Sequence, residues 1–152
     1  MPGSGKPLIY LDTNVFIAAF EADDAASGHA WRLLDAVESA EIEAVTSELT
    51  LAEVLVKPIE RGDAELAETY RKVLPARLGF LAAPVSRDVL EYAAAIRARM
   101  PAIRLPDAVH LATADLRRCS ILVSSDRRLT VSRPMRRVDL GPNALDHILA
   151  EK

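Results

Sequence analysis

Two textures alternate along this chain. Short unbroken apolar runs are followed by stretches in which apolar residues recur every three or four positions. Leu8–Leu11 has no polar alternation, as expected of a strand covered on both faces. Comparable runs at 44–46, 80–83, 121–123 and 138–140 predict four more strands, with Pro84 limiting the third. Between them, helices are predicted from 13 to 20, from 27 to 40, from Ser47 to just before Pro58, from 64 to about 74, from Ser86 to 99 and from 107 to 118. Ala30, Trp31, Leu34 and Val37 share one helical face, as do Val89, Tyr92, Ala93 and Ile96. Pro106 suits a first helical turn, where its missing N–H costs nothing. Ala108, Ala112, Thr113 and Ala114 are small enough to let that helix approach a sheet closely. Strands alternating with helices predict an α/β fold, a parallel sheet of about five strands with helices on both faces.

The length of 152 residues suits one domain with a single core. Residues 1–7 read as a flexible leader and 8–152 as the domain. No apolar run approaches the ~20 residues needed to span a bilayer, so no membrane partner is expected. One cysteine, Cys119, excludes an internal disulfide and a cysteine-based zinc site, and a reducing cytoplasm is the simplest home. The net charge of −3 looks wrong for a protein that binds nucleic acid, but its distribution changes that picture. Between Arg117 and Arg137 stand seven arginines against a single acid, Asp126. That segment is either a solvated basic face or a phosphate-contacting rim, with Arg127, Arg128 and Arg133 its candidate nucleic-acid contacts. Residues 21–43 are acidic, with Arg32 the only Arg or Lys, and predict an exposed helical face; its part near Trp31 is a candidate partner contact.

Four acids stand where the predicted strands and helices meet. Asp12 closes the first strand and opens the helix after it. A carboxylate there is a helix cap in one reading. In the other it projects from the carboxyl edge of the sheet, where open α/β folds bind ligands. Glu53 lies inside a helix capped by Ser47: on an apolar face of Leu49, Ala52, Leu55 and Val56 a buried glutamate needs a partner, and on the opposite face it is simply exposed. Asp107 sits in a helix's first turn, where the dipole favours it by a few tenths of a kcal/mol to ~1. His110, one turn on, reads as a packed or hydrogen-bonded residue rather than a ligand. Asp126 follows the fourth strand behind Ser124 and Ser125, as a turn residue or as a site residue. If the four converge, their repulsion calls for Mg²⁺ or Mn²⁺, hard cations that take oxygen ligands and keep waters. Such an ion activates water for attack on phosphorus.

Leu11-Asp12-Thr13-Asn14, Leu51-Ala52-Glu53-Val54, Pro106-Asp107-Ala108-Val109-His110-Leu111-Ala112-Thr113-Ala114 and Val123-Ser124-Ser125-Asp126 occur in that order across most of the chain. In this the sequence resembles the PIN domain, and within it the VapC-type toxins of prokaryotic toxin–antitoxin pairs. The resemblance implies a three-layer α/β/α sandwich and a Mg²⁺- or Mn²⁺-dependent endoribonuclease. It also implies a homodimer and a cognate VapB-type antitoxin. Asp12, Glu53, Asp107 and Asp126 would be the catalytic, metal-holding quartet, with Thr13, Asn14 and Ser124 in support. A hydroxyl-bearing Ser124 stands where the family often has Thr.

Competing readings are weaker. An aspartyl-nucleophile phosphatase wants a second acid two residues after the first, where this chain has Asn14. Gly3-Ser4-Gly5-Lys6 hints at a phosphate loop, but Pro7 replaces the required Ser or Thr and no strand precedes it. A housekeeping RNA-processing nuclease and a non-catalytic PIN-like binding module remain as alternatives to a toxin.

Overall fold

A computed structural model describes residues 5–150. The five strands are β1 (Leu8–Leu11), β2 (Glu43–Ser47), β3 (Phe80–Ala83), β4 (Ile121–Ser124) and β5 (Arg136–Asp139). They form one parallel sheet in the order β3-β2-β1-β4-β5. The helices are α1 (Thr13–Glu21), α2 (Ala25–Glu38), α3 (Leu49–Arg61), α4 (Ala64–Val73), α5 (Arg87–Arg99), α6 (Leu105–Leu116) and α7 (Ala144–Leu149). Alternation along each strand divides the core in two. Ile9, Leu11, Ile121 and Val123 face α1, α2, α3, α4 and α7. Tyr10, Val45 and Leu122 face α5 and α6. The three-layer sandwich expected from the sequence is the observed fold.

Strand order places the site. The chain builds from β1 outward through β2 to β3, then returns across the second face to add β4 on the other side of β1. Parallel pairing makes such crossovers obligatory. The order reverses between β1 and β4, and a crevice opens at the carboxyl ends of those two strands.

Element ends shift by up to two residues from those predicted, as at β5, α2 and α6, and four further details depart from the sequence reading. Pro58 does not end α3, which runs on to Arg61. Proline forfeits one backbone hydrogen bond and crowds the preceding turn. Here its ring is buried, and the helix closes at Gly62, whose φ of 67° supplies the left-handed turn. Ala52 and Val56 are exposed, so the buried stripe of α3 is Thr50, Val54 and Pro58 rather than the face expected. Trp31 is 40% exposed and sits at the margin of α2. Its indole N–H donates to the Ala19 carbonyl at 2.8 Å, and its ring meets Phe20 edge-on. α7 was not foreseen; six residues are too few for a clear period, and Ala144 and Ile148 anchor it.

Of the expected leader, residues 1–4 lie outside the described residues. Pro7 already extends the β1–β2 ladder, because its carbonyl accepts the Glu43 N–H at 2.9 Å. Among the described residues, no helix is long and apolar enough to cross a membrane.

Two glycine substitutions should have opposite signs. Gly28 lies within α2 with nothing within 4 Å of an added methyl, so Gly28→Ala should stabilise by about 0.5–1 kcal/mol. Gly62 has equal space but a positive φ, so Gly62→Ala should destabilise by about 1 kcal/mol. Urea unfolding of both variants checks the pair.

Candidate active site

Asp12 is positioned by backbone bonds before its side chain does anything. Its N–H donates to the Val123 carbonyl at 3.1 Å, tying it into the β1–β4 ladder. Its φ and ψ of −65° and 157° are still extended, so the carboxylate projects at the sheet edge as α1 begins. One oxygen accepts the Thr13 N–H at 2.9 Å and the other the Ser124 hydroxyl at 2.7 Å. Both donors are neutral. The residue is 6% exposed, and among the described residues it forms no ion pair. Burial raises its pKa above the ordinary aspartate value, against the opposing effects of Ser124 and His110. The cap reading and the site reading are therefore both satisfied by one side chain.

Glu53 is reached by a chain of hydrogen bonds through the core. The Tyr10 hydroxyl and His110 Nδ1 are 2.5 Å apart, and His110 Nε2 is 2.6 Å from Glu53 Oε1. The Thr13 hydroxyl donates to the same oxygen at 2.8 Å. His110 bridges Tyr10 and Glu53, one ring nitrogen facing each. His110 is thus the hydrogen-bonded residue expected, and what it fixes is Glu53. Burial pushes the Glu53 carboxyl upward, but the His110 bond and charge, Thr13 and Arg104 outweigh it, and the net shift is downward. Thr46 and Thr50 extend the network behind: Thr46 donates to the Leu11 carbonyl at 2.8 Å and meets the Thr50 hydroxyl at 2.8 Å.

Asp107 and Asp126 come in from the other side. Asp107 is in the first turn of α6, 3.6 Å from Arg104 one turn earlier. Asp126 lies just past β4, and both its oxygens are taken by the Arg128 guanidinium at 3.1 and 3.2 Å. That arginine's side-chain and backbone bonds hold the carboxyl below the usual aspartate range. Ser124 links the two strand ends, accepting the Asp126 N–H at 2.9 Å while it donates to Asp12. From β5, Arg137 clamps this loop by donating to the carbonyls of Asp126 at 3.2 Å and Ser124 at 3.0 Å.

All four acids line one cavity of about 340 Å³, with Thr13, Asn14, Ile17, Arg104, His110 and Arg128. The structure thus brings the quartet to one place, with Thr13 and Asn14 in the wall and Ser124 buried behind it. The four carboxylates do not close into one tight cluster. Among the described residues no three His, Cys, Asp or Glu side chains form a ready ligand set. The reason is electrostatic: Asp107, Asp126 and Glu53 have each turned to the nearest cation or hydrogen-bond donor. Arg127 and Arg133 are exposed and do not line the cavity; of the three candidate RNA contacts only Arg128 does. Two participants escaped the sequence reading. Arg104 could have been found by its spacing three residues before Asp107. Arg137 carried no signal, since its role depends on β5 pairing beside β4.

The sequence profile of the PIN domain matches residues 9–133, from β1 to beyond the Asp126 loop. The chain belongs to the PIN-domain family. Solved structures agree with the fold of this PIN domain. A chain of a toxin–antitoxin complex from Klebsiella pneumoniae is 26% identical, with a TM-score of 0.63, over 84% of this chain and 94% of the other. VapC20 of Mycobacterium tuberculosis, a Sarcin-Ricin loop cleaving toxin, is 22% identical with a TM-score of 0.60, over 75% and 86%. A chain of VapBC2 from Rickettsia felis, bound to a promoter DNA fragment, is 14% identical with a TM-score of 0.66, over 87% and 98%. No curated protein matches the sequence significantly.

Burial of Asp12 in this PIN domain gives a signed prediction. Its folded pKa lies above the unfolded value, so the cost of its charge is absent below the unfolded value and complete above the folded one. Without divalent ions at pH 7.5, Asp12→Asn should be more stable than the parent by about 0.5–2 kcal/mol. Urea unfolding at falling pH should show that gain shrinking; a gain that grows on acidification contradicts the burial argument.

Proposed function

We propose that this PIN domain is a divalent-metal-dependent endoribonuclease and the toxin of a type II toxin–antitoxin pair. The observation that carries the reading is the cavity itself: four carboxylates from four segments at the β1–β4 switch point, the deepest of them in no ion pair among the described residues. The donors suit a hard cation, being carboxylate oxygens with room for waters. Asp12, Glu53, Asp107 and Asp126 would hold Mg²⁺ or Mn²⁺, which when bound supplies Lewis acidity toward the phosphodiester and its attacking water.

The chain's own residues account for the rest. Glu53, fixed by His110 and Thr13, orients the attacking water and takes its proton. Asn14 offers a neutral amide at the cavity wall for a substrate oxygen. Arg104 and Arg128 stand at the rim, where they neutralise phosphates flanking the scissile bond. The similarity to a chain of a toxin–antitoxin complex supports a cognate antitoxin as partner, and the similarity to VapC20, a Sarcin-Ricin loop cleaving toxin, supports structured RNA as substrate. A homodimer in the cytoplasm completes the reading.

Mg²⁺- or Mn²⁺-stimulated cleavage of RNA should be lost in Asp12→Asn and in Asp107→Ala while both variants stay folded. Sequencing RNA ends after expressing the parent beside Asp12→Asn should reveal cuts present only with the parent. Identical end profiles would sink the nuclease reading. Arg128→Glu should weaken RNA binding several-fold and flatten its dependence on salt.

A further inference from the structure

A second cavity of about 370 Å³ adjoins the acidic one and shares three of its residues, Arg104, Asp107 and Arg128. Its remaining lining is different in kind: Met100, Ala102, Ile103, Leu129 and Thr130. The two arginines therefore stand as a partition between a carboxylate chamber and an apolar-floored one. We propose that the second cavity is a nucleobase subsite, holding one unstacked base of single-stranded RNA beside the scissile phosphate. This deepens the nuclease reading and rests on it.

Three features favour that occupant. The volume lies in the ~300–1,000 Å³ class of small-ligand sites. Leu129 is buried and Ile103 half-buried, giving a floor on which a flat ring can pack. The partition matches a nucleotide's own layout, since a base on the apolar side leaves its phosphate between two guanidiniums. Arg104 and Arg128 are 70% and 79% exposed, so their pairs with Asp107 and Asp126 are cheap to exchange for a phosphate. Guanidinium planes also stack on bases, which compensates for the absence of aromatic residues in this lining. A base still stacked in a duplex cannot enter, so the subsite selects loops and single strands. Thr130, exposed at the rim, can donate to or accept from a base edge.

Filling the cavity tests this without disturbing the core. Thr130→Trp and Ala102→Trp both alter exposed rim positions. The probes are a 12-nucleotide single-stranded RNA of mixed sequence and an abasic ribose-phosphate strand of equal length. Binding is read by fluorescence anisotropy, with folding checked by circular dichroism. The parent should prefer the base-bearing strand. Each tryptophan variant should lose about tenfold in affinity for that strand and little for the abasic one, while Arg104→Ala loses affinity for both. Equal binding of the two strands by the parent, unaltered RNA binding by both folded tryptophan variants, or no RNA binding at all overturns the subsite. Unaltered RNA binding is also the result expected if the cavity instead takes an apolar peptide side chain. The nuclease reading fails separately, by RNA that is bound in the predicted pattern yet uncut in Mg²⁺ and Mn²⁺.

Discussion

Everything at this site follows from a carboxylate held in the wrong place for stability. The backbone of Asp12 is committed to the sheet through Val123, and the helix that begins at Thr13 turns its side chain into the crevice. Two neutral donors satisfy its oxygens, but neither cancels its charge. A buried charge without a counterion costs free energy that a scaffold would avoid by carrying a neutral cap such as Ser or Asn. Three further acids reach the same chamber from α3, α6 and the loop after β4. The shared requirement of all four is positive charge, and the described residues meet only part of it.

How the chain meets that part explains the geometry. Asp126 is held by Arg128, Asp107 approaches Arg104, and Glu53 leans on His110. The first two pairings are between largely exposed arginines and half-buried acids, so they yield readily to a stronger cation. The Glu53 contact is different. His110 is almost wholly buried and anchored from behind by Tyr10, so Glu53 is aimed rather than merely neutralised. The loop bearing Ser124 and Asp126 is likewise fixed, by two Arg137 bonds to its carbonyls. The site thus combines a rigid half, Asp12 with Glu53, and a half whose carboxylates are loosely occupied.

The frame was legible because its signals are local. Unbroken apolar runs report strands covered on both faces, and Leu8–Leu11 and the run at 121–123 could hardly be read otherwise. Asp63 and Ser86 stand immediately before their helices, and both accept the backbone bonds expected of caps. The acids were legible because strand ends and helix starts are where parallel sheets present side chains. What stayed hidden depends on partners distant in sequence. Pro58 reads as a stop until its ring is seen buried, and Arg137 means nothing until β5 lies beside β4. The spacing of the acids is hidden for the same reason, since it depends on the arginines that answer them.

Cation binding is the direct test of the central claim. Titrating Mn²⁺ into the full chain, followed by the loss of free-ion electron paramagnetic resonance signal, should show a saturable site in the parent and at least a tenfold weaker one in Asp12→Asn. Equal affinity in the two proteins, or no saturable binding in either, would contradict an account in which that buried carboxylate exists to receive a divalent ion.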